Sequence, residues 1–179
     1  MEEYLLDTNH VIPLLREQDP RRGVILAKLS TIAAESHVCI ATATLAELEV
    51  GCCFQEKGRE DAQTEIREVL RSNRLDIRPF TQHTAAEYGA LKAALMRQFA
   101  REEVRNAAKW PEVWTSPVKG QPLGADEFDL IMVSHAMERN MVLVTNDPMR
   151  RIIEGISSLG SAPRFDNWIS IASGTGSSP

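Results

Sequence analysis

Apolar positions along this chain fall alternately into short runs and helical stripes. Tyr4–Leu6 is a compact apolar run and predicts a first strand. Val11, Ile12, Leu14 and Leu15 then open a helical pattern, which Asp19-Pro20 breaks. Val24, Ile25, Leu29 and Ile32 recur at helical spacing across Arg22–Ser36. Val38–Ala41 reads as a second strand. Thr42 and Thr44 offer N-caps for a helix over Leu45–Phe54, and Glu47, three residues after Thr44, completes a capping-box pattern. Gly58 punctuates, Ala62–Arg71 reads as a helix, and Leu75–Phe80 as a third strand.

The second half repeats the alternation at greater length. Thr81 or Thr84 can cap a helix from Ala85 to near Lys109, rich in Ala, Leu, Glu and Arg and free of Pro and Gly after Gly89. Pro111, Pro117, Gly120, Pro122 and Gly124 make Trp110–Gly124 a loop. Asp126–Arg139 is a helix with Leu130, Val133, His135, Ala136 and Met137 on a broad apolar side, and Met141–Thr145 is the cleanest buried strand. Asn146-Asp147-Pro148 ends that strand, Met149–Ile153 begins a helix, and Pro163–Ile171 holds a last edge strand. Residues 1–172 therefore form one domain, and the Gly/Ser-rich Ser173–Pro179 is a flexible tail. The chain contains no internal repeat.

Strands separated by helices imply an α/β fold with a parallel sheet covered on both faces. With right-handed crossovers, every helix that follows a strand begins at the carboxyl edge of the sheet. Asp7 and Asp147 stand where strands end. Glu47 and Asp129 stand in the first turns of helices that start on that edge. Four acids up to 140 positions apart thus converge on one rim, the rim where open α/β sheets bind ligands.

Composition narrows the class without fixing the chemistry. The 179 residues are 43% hydrophobic and 25% charged, an ordinary globular profile. A net charge of −5 gives no global footprint of a nucleic-acid binder, although a cation in an acidic site would reverse the local sign. Three cysteines, two of them the adjacent Cys52 and Cys53, argue against a disulfide framework and for a reducing, cytoplasmic compartment. No segment is long and apolar enough to span a bilayer, and Met1-Glu2-Glu3 lacks the basic start of a signal peptide.

Several carboxylates in one cavity repel one another unless a counter-charge is present. A helix N-terminus supplies about 0.5 kcal/mol per acid, too little to hold four anions. All-oxygen ligands without an obvious His or Cys partner point to Mg²⁺ or Mn²⁺. The natural chemistry of such a site is phosphodiester hydrolysis by a metal-activated water.

Leu5-Leu6-Asp7-Thr8-Asn9, Ala46-Glu47-Leu48-Glu49-Val50-Gly51, Asp129-Leu130-Ile131 with His135-Ala136, and Leu143-Val144-Thr145-Asn146-Asp147 resemble the four motifs of PIN-domain ribonucleases. The nearest branch is that of the VapC toxins of toxin–antitoxin pairs, whose C-terminal ending Asp166-Asn167-Trp168 also resembles. The resemblance covers nearly the whole chain in order. It implies strand order 3-2-1-4-5 and a metal-dependent endoribonuclease. Asp7, Glu47, Asp129 and Asp147 become catalytic and metal-site residues, Glu47 through a water where it does not ligate directly. Asn9 and Thr145 become hydrogen-bonding support. RNA as substrate, a cognate antitoxin and a homodimer are the partners that follow. The stretch 97–124 departs from the family by its length.

The remaining features each have a plain reading beside the functional one. Arg97, Arg101, Arg105 and Lys109 form an i, i+4 row that can track a phosphate backbone, yet Glu102 and Glu103 flank it as on any solvated face. His10 and His135 are read as structural, Asp126 as a helix cap in preference to a fifth acid, and Cys52-Cys53 as packing residues. Trp110 and Trp114 can stack on bases, but anchoring the loop is the preferred reading. Two rival functions stay open: a non-catalytic PIN scaffold that binds RNA or protein, and a DNA-directed or structure-specific nuclease of the same fold.

Overall fold

The computed structural model describes residues 2–32, 35–56, 58–99, 111, 114, 124–147, 149, 153 and 163–169. Leu5 and Leu6 anchor it. They end β1 (Glu3–Leu6), which lies at the centre of the sheet and pairs in parallel with β2 (His37–Ala41) on one side and β4 (Val142–Val144) on the other. Leu5 stands opposite Cys39 and Leu143, and Leu6 opposite Ile40 and Val144. β3 (Asp76–Arg78) and β5 (Arg164–Asp166) add in parallel at the two edges, giving the order β3-β2-β1-β4-β5 that the family resemblance implies.

Side chains alternate across this sheet, so neighbouring apolar residues enter different layers. Leu5, Cys39 and Leu143 join Leu91, Leu95, Leu130 and Val133 beneath α5 (Gln82–Phe99) and α6 (Glu127–Arg139). Leu6, Ile40 and Val144 join Val11, Ile25, Leu48 and Ile66 on the opposite face. There they lie beneath α1 (Thr8–Leu15), α2 (Pro20–Thr31), α3 (Thr42–Cys52) and α4 (Arg59–Ser72). Both faces are covered, as near-continuous apolar strands require.

Several boundaries differ from the sequence reading for local reasons. α2 begins at Pro20, capped by the Asp19 side chain on the Arg21 N–H, so Asp19-Pro20 starts a helix as well as breaking one. β2 runs directly into α3 at Thr42, which places Thr44 inside the helix with its hydroxyl against the Met132 sulfur. The expected Thr44–Glu47 capping box therefore does not form, and Glu47 lies in the second turn. α5 starts at Gln82, where the Thr81 hydroxyl accepts from the His83 and Thr84 N–H groups. Asn140 closes α6 in the left-handed region (φ 53°), and the chain turns at once into β4. The expected helix beyond Phe99, most of the 110–124 loop, most of the helix after Asn146 and the tail at 173–179 lie outside the described residues.

Candidate active site

Asp7 is the first residue beyond β1, and its N–H donates to Val144 O at 3.0 Å, which pins the ends of the two central strands together. Its carboxylate is almost wholly buried and well supplied with donors. Oδ1 accepts from the Thr8 N–H, and Oδ2 from the Thr145 hydroxyl and the Asn9 amide, each at 2.6 Å. The Thr145 hydroxyl in turn accepts from the Asp147 N–H at 2.9 Å, and Asp147 Oδ1 accepts from the Met149 N–H at 2.8 Å. Asp147 is thus held by the turn that follows β4, on the same edge as Asp7.

Glu47 reaches this edge from α3, where the Thr8 hydroxyl donates to its carboxylate. Thr8 therefore bridges two acids, through its N–H to Asp7 and its hydroxyl to Glu47. Asp126 and Asp129 close the opposite side as a reciprocal capping box. The Asp129 N–H donates to Asp126 Oδ1 at 2.9 Å, and the Asp126 N–H to Asp129 Oδ2 at 2.8 Å. Asp126 caps α6 as the sequence suggests. It also lines the cleft, so the cap and the fifth acid are one residue.

Asp7, Glu47, Asp126, Asp129 and Asp147 line a single open cleft of about 470 Å³. Thr8, Asn9, Ile12, Gly124 and Ala125 complete the described lining, which contains no Lys, Arg or His. Burial is the main force on every acid whose titration moves. It pushes Asp129 up to about 8, assisted by the charges of Asp126, Asp147 and Asp7 and opposed by the Asp126 N–H. Burial also raises Asp7, against its bonds from Thr145 and Thr8. It raises Glu47 against the Thr8 bond, and Asp147 against the Met149 N–H. Charge is thus concentrated here without compensation from the lining.

That arrangement suits a hard cation. The donors are all oxygen, the chemistry preferred by Mg²⁺ and Mn²⁺. Among the described residues no three Asp, Glu, His or Cys side chains already converge as a ligand cage. Several carboxylate oxygens instead face donors of this chain, and so would turn to ligate.

The other candidate residues disperse. Arg97 is exposed on α5 and is not among the described residues that line the cleft, while Arg101, Arg105 and Lys109 lie outside the described residues. His135 is fully buried, edge-on to Phe80 at 5.9 Å. Trp114 is buried in the core, which fits anchoring, and Trp110 lies outside the described residues. Cys52 packs in the core while Cys53 is exposed, so only one of the pair behaves as expected. His10 is fully buried and sits one residue from Asn9 with its Nδ1 2.5 Å from Asn9 Oδ1, a contact that the residue types alone did not reveal.

The sequence model of the PIN domain family matches residues 4–153. Among solved structures, a chain of VapBC2 from Rickettsia felis, bound to a DNA fragment from the promoter, superposes with a TM-score of 0.63 at 24% identity. The match covers 93% of this chain and 98% of that one. VapBC-1 from nontypeable Haemophilus influenzae gives 0.65 at 21% identity, covering 93% and 98%. DNA-bound VapBC from Salmonella typhimurium gives 0.63 at 23%, covering 94% and 99%. No curated protein matches the sequence.

Proposed function

The chain belongs to the PIN domain family, and from that premise we propose that it is a metal-dependent endoribonuclease, the toxin of a toxin–antitoxin pair. The observation that carries the reading is the cleft itself. Five carboxylates from four parts of the chain line one cavity whose described lining offers no cationic side chain, and burial holds four of them above their ordinary range. Such a site is stabilised by a divalent ion and repels a bare phosphate in its absence.

Asp7, Glu47, Asp129 and Asp147 are the residues we assign to hold Mg²⁺ or Mn²⁺. When bound, the ion supplies Lewis acidity and lowers the pKa of a coordinated water. The chain's own contribution is orientation. Thr145 and Asn9 fix one face of Asp7, Thr8 fixes Glu47, and the Asp126 N–H fixes Asp129. Asp129, pushed up to about 8, holds a proton near neutral pH that a bound cation would have to displace.

The VapBC likenesses support an antitoxin partner, and the same reading carries a homodimer. No helix of the described residues is long and apolar enough to cross a membrane, which accords with a cytoplasmic place of action. Val50, in the last turn of α3, and Phe54, just beyond that helix, are exposed apolar residues available to partner contacts.

The test is cleavage. Purified protein is expected to cut single-stranded RNA with Mg²⁺ or Mn²⁺ and to stop in EDTA. Asp129→Asn and Asp147→Asn should each lower the rate by about 10²-fold or more while the far-UV spectrum stays native, the scale at which loss of transition-state stabilisation is measured. A variant that keeps wild-type turnover removes its residue from the site, and faster cleavage of DNA than of RNA transfers the assignment to a DNA-directed nuclease.

A further inference from the structure

His10 follows the Asp7-Thr8-Asn9 turn and is completely buried, although a cleft of carboxylates has no evident use for an imidazole. Both of its ring nitrogens are engaged. The backbone N–H of Trp168 donates to Nε2 at 3.3 Å, and a backbone N–H cannot reverse its role. On the other side of the ring, Nδ1 stands 2.5 Å from Asn9 Oδ1. The Asn9 amide has a fixed direction of its own. Its Nδ2 lies 2.6 Å from Asp7 Oδ2, and an ionised carboxylate only accepts, so the oxygen end of the amide must be the one that faces His10. The Asn146 N–H, 3.3 Å from the same Oδ1, agrees with that orientation.

The Trp168 and Asn9 contacts select one tautomer of the neutral ring, against the Asn167 side chain, whose hydrogen bond to the ring favours the protonated form. Accepting at Nε2, the neutral ring carries its proton on Nδ1 and donates it to Asn9. Three bonds therefore run in one direction: Trp168 N–H to His10, His10 to Asn9, and Asn9 to Asp7. Burial keeps the ring neutral, lowering its titration to about 4 against the opposing pull of Asn167 and Asp166. Trp168 also packs edge-on against the ring, with centroids 6.4 Å apart and planes at 88°.

We propose that His10 is a positioning residue for Asp7: it locks Asn9 in the amide orientation that gives the carboxylate a second side-chain donor beside Thr145, and ties that donor to the Asn167–Trp168 turn near the other end of the chain. Outer-shell partners of this kind typically govern about 10–100-fold in metal affinity or activity. The kinetic consequence rests on the nuclease reading above; the hydrogen-bond direction does not.

Long-range ¹H–¹⁵N correlation of the histidine rings in the unmodified full chain tests the direction. The expected signature is His10 protonated at Nδ1 and unprotonated at Nε2, while an Nε2–H ring or an average of two tautomers overturns the proposal. His10→Phe keeps an aromatic ring and removes both polar contacts, whereas His10→Asn restores a donor toward Asn9. His10→Phe should bind Mn²⁺ about 10–100-fold more weakly by calorimetry and lose a similar factor in kcat on RNA with KM little changed, and His10→Asn should recover most of both. Wild-type Mn²⁺ affinity in His10→Phe, or a His10→Asn variant no better than His10→Phe, overturns it. Should His10→Phe fail to fold, the ring spectrum and the Asn variant decide. Should the wild type cleave no RNA, the nuclease reading falls and the spectrum and Mn²⁺ titration still judge His10.

Discussion

At the scale of residues, Asp7 and Asp129 are two solutions to burying a carboxylate. Asp7 is surrounded by donors from Thr8, Asn9 and Thr145, while Asp129 has one backbone donor and three neighbouring acids that raise it further. The sign of the resulting pH dependence follows from linkage. Asp129 titrates near its ordinary 3.8 when unfolded and at about 8 when folded, so between those values the folded chain holds a proton that the unfolded chain has lost. Its contribution is fully present below 3.8 and is lost progressively as pH rises towards 8. Metal-free protein in EDTA is therefore expected to melt at falling temperature from pH 5 to pH 8, and Asp129→Asn should flatten the slope. Saturating Mg²⁺ or Mn²⁺ should raise the midpoint most at the alkaline end, because the ion binds the folded site and hardly the unfolded chain. Asp7→Asn should remove most of that rise. Calorimetry that finds the mutant and the wild type responding alike to the ion would count against a shared site. Residue types and positions made the four acids legible. They did not show that Asp126 belongs to the same cleft or that His10 touches Asn9, because both facts depend on side-chain directions fixed only by packing.

At the scale of elements, helix termini decide where the acids point. The Asp126–Asp129 capping box satisfies the first turn of α6 and turns both carboxylates toward the cleft. Asp126→Ala removes the acceptor for the Asp129 N–H and is expected to cost about 1 kcal/mol of stability, the usual worth of an N-cap. Asp126→Ser keeps a cap while removing the charge, and should retain most of that stability. Chemical denaturation of the two variants separates cap from charge. If Asp126→Ser proves as unstable as Asp126→Ala, the cap is not what Asp126 supplies. Sequence pattern read Asp126 as a cap but not its reciprocal bond with Asp129, and read a box at Thr44–Glu47 that does not form. The two patterns look alike, but β2 passes into α3 without a connecting residue, which moves the helix start to Thr42 and turns Thr44 inward against Met132. Strand β3 has three residues where the pattern predicts Leu75–Phe80: Leu75 is buried just before it and Phe80 packs on His135 just after it, and neither joins the ladder.

At the scale of the whole molecule, topology made the site legible: a parallel sheet in the order β3-β2-β1-β4-β5 delivers β1, β2 and β4 to one edge. Asp7, Glu47 and Asp147 follow them there, and the start of α6 brings Asp126 and Asp129. The same topology sets a second cavity of about 300 Å³ beside the cleft, sharing Thr8, Ile12 and Glu47 with it and lined further by Leu15, Leu48 and Ile66. Val11 and Leu14 are buried in the core, so of the residues after Asp7 only Ile12 and Leu15 are left to offer an apolar groove. An antitoxin tail that seats apolar side chains there would bring an Arg within reach of the acids, neutralising them and displacing the ion in one step. Expression of the chain alone is then expected to arrest growth, and Asp7→Asn to abolish the arrest. Leu15→Glu, which charges the groove and leaves the acids in place, should keep the toxicity but escape the co-expressed antitoxin. Unimpaired growth at high levels of soluble wild-type protein would favour a PIN scaffold that binds without cutting. Arrest that the antitoxin relieves equally for wild type and Leu15→Glu would move the docking site away from this groove.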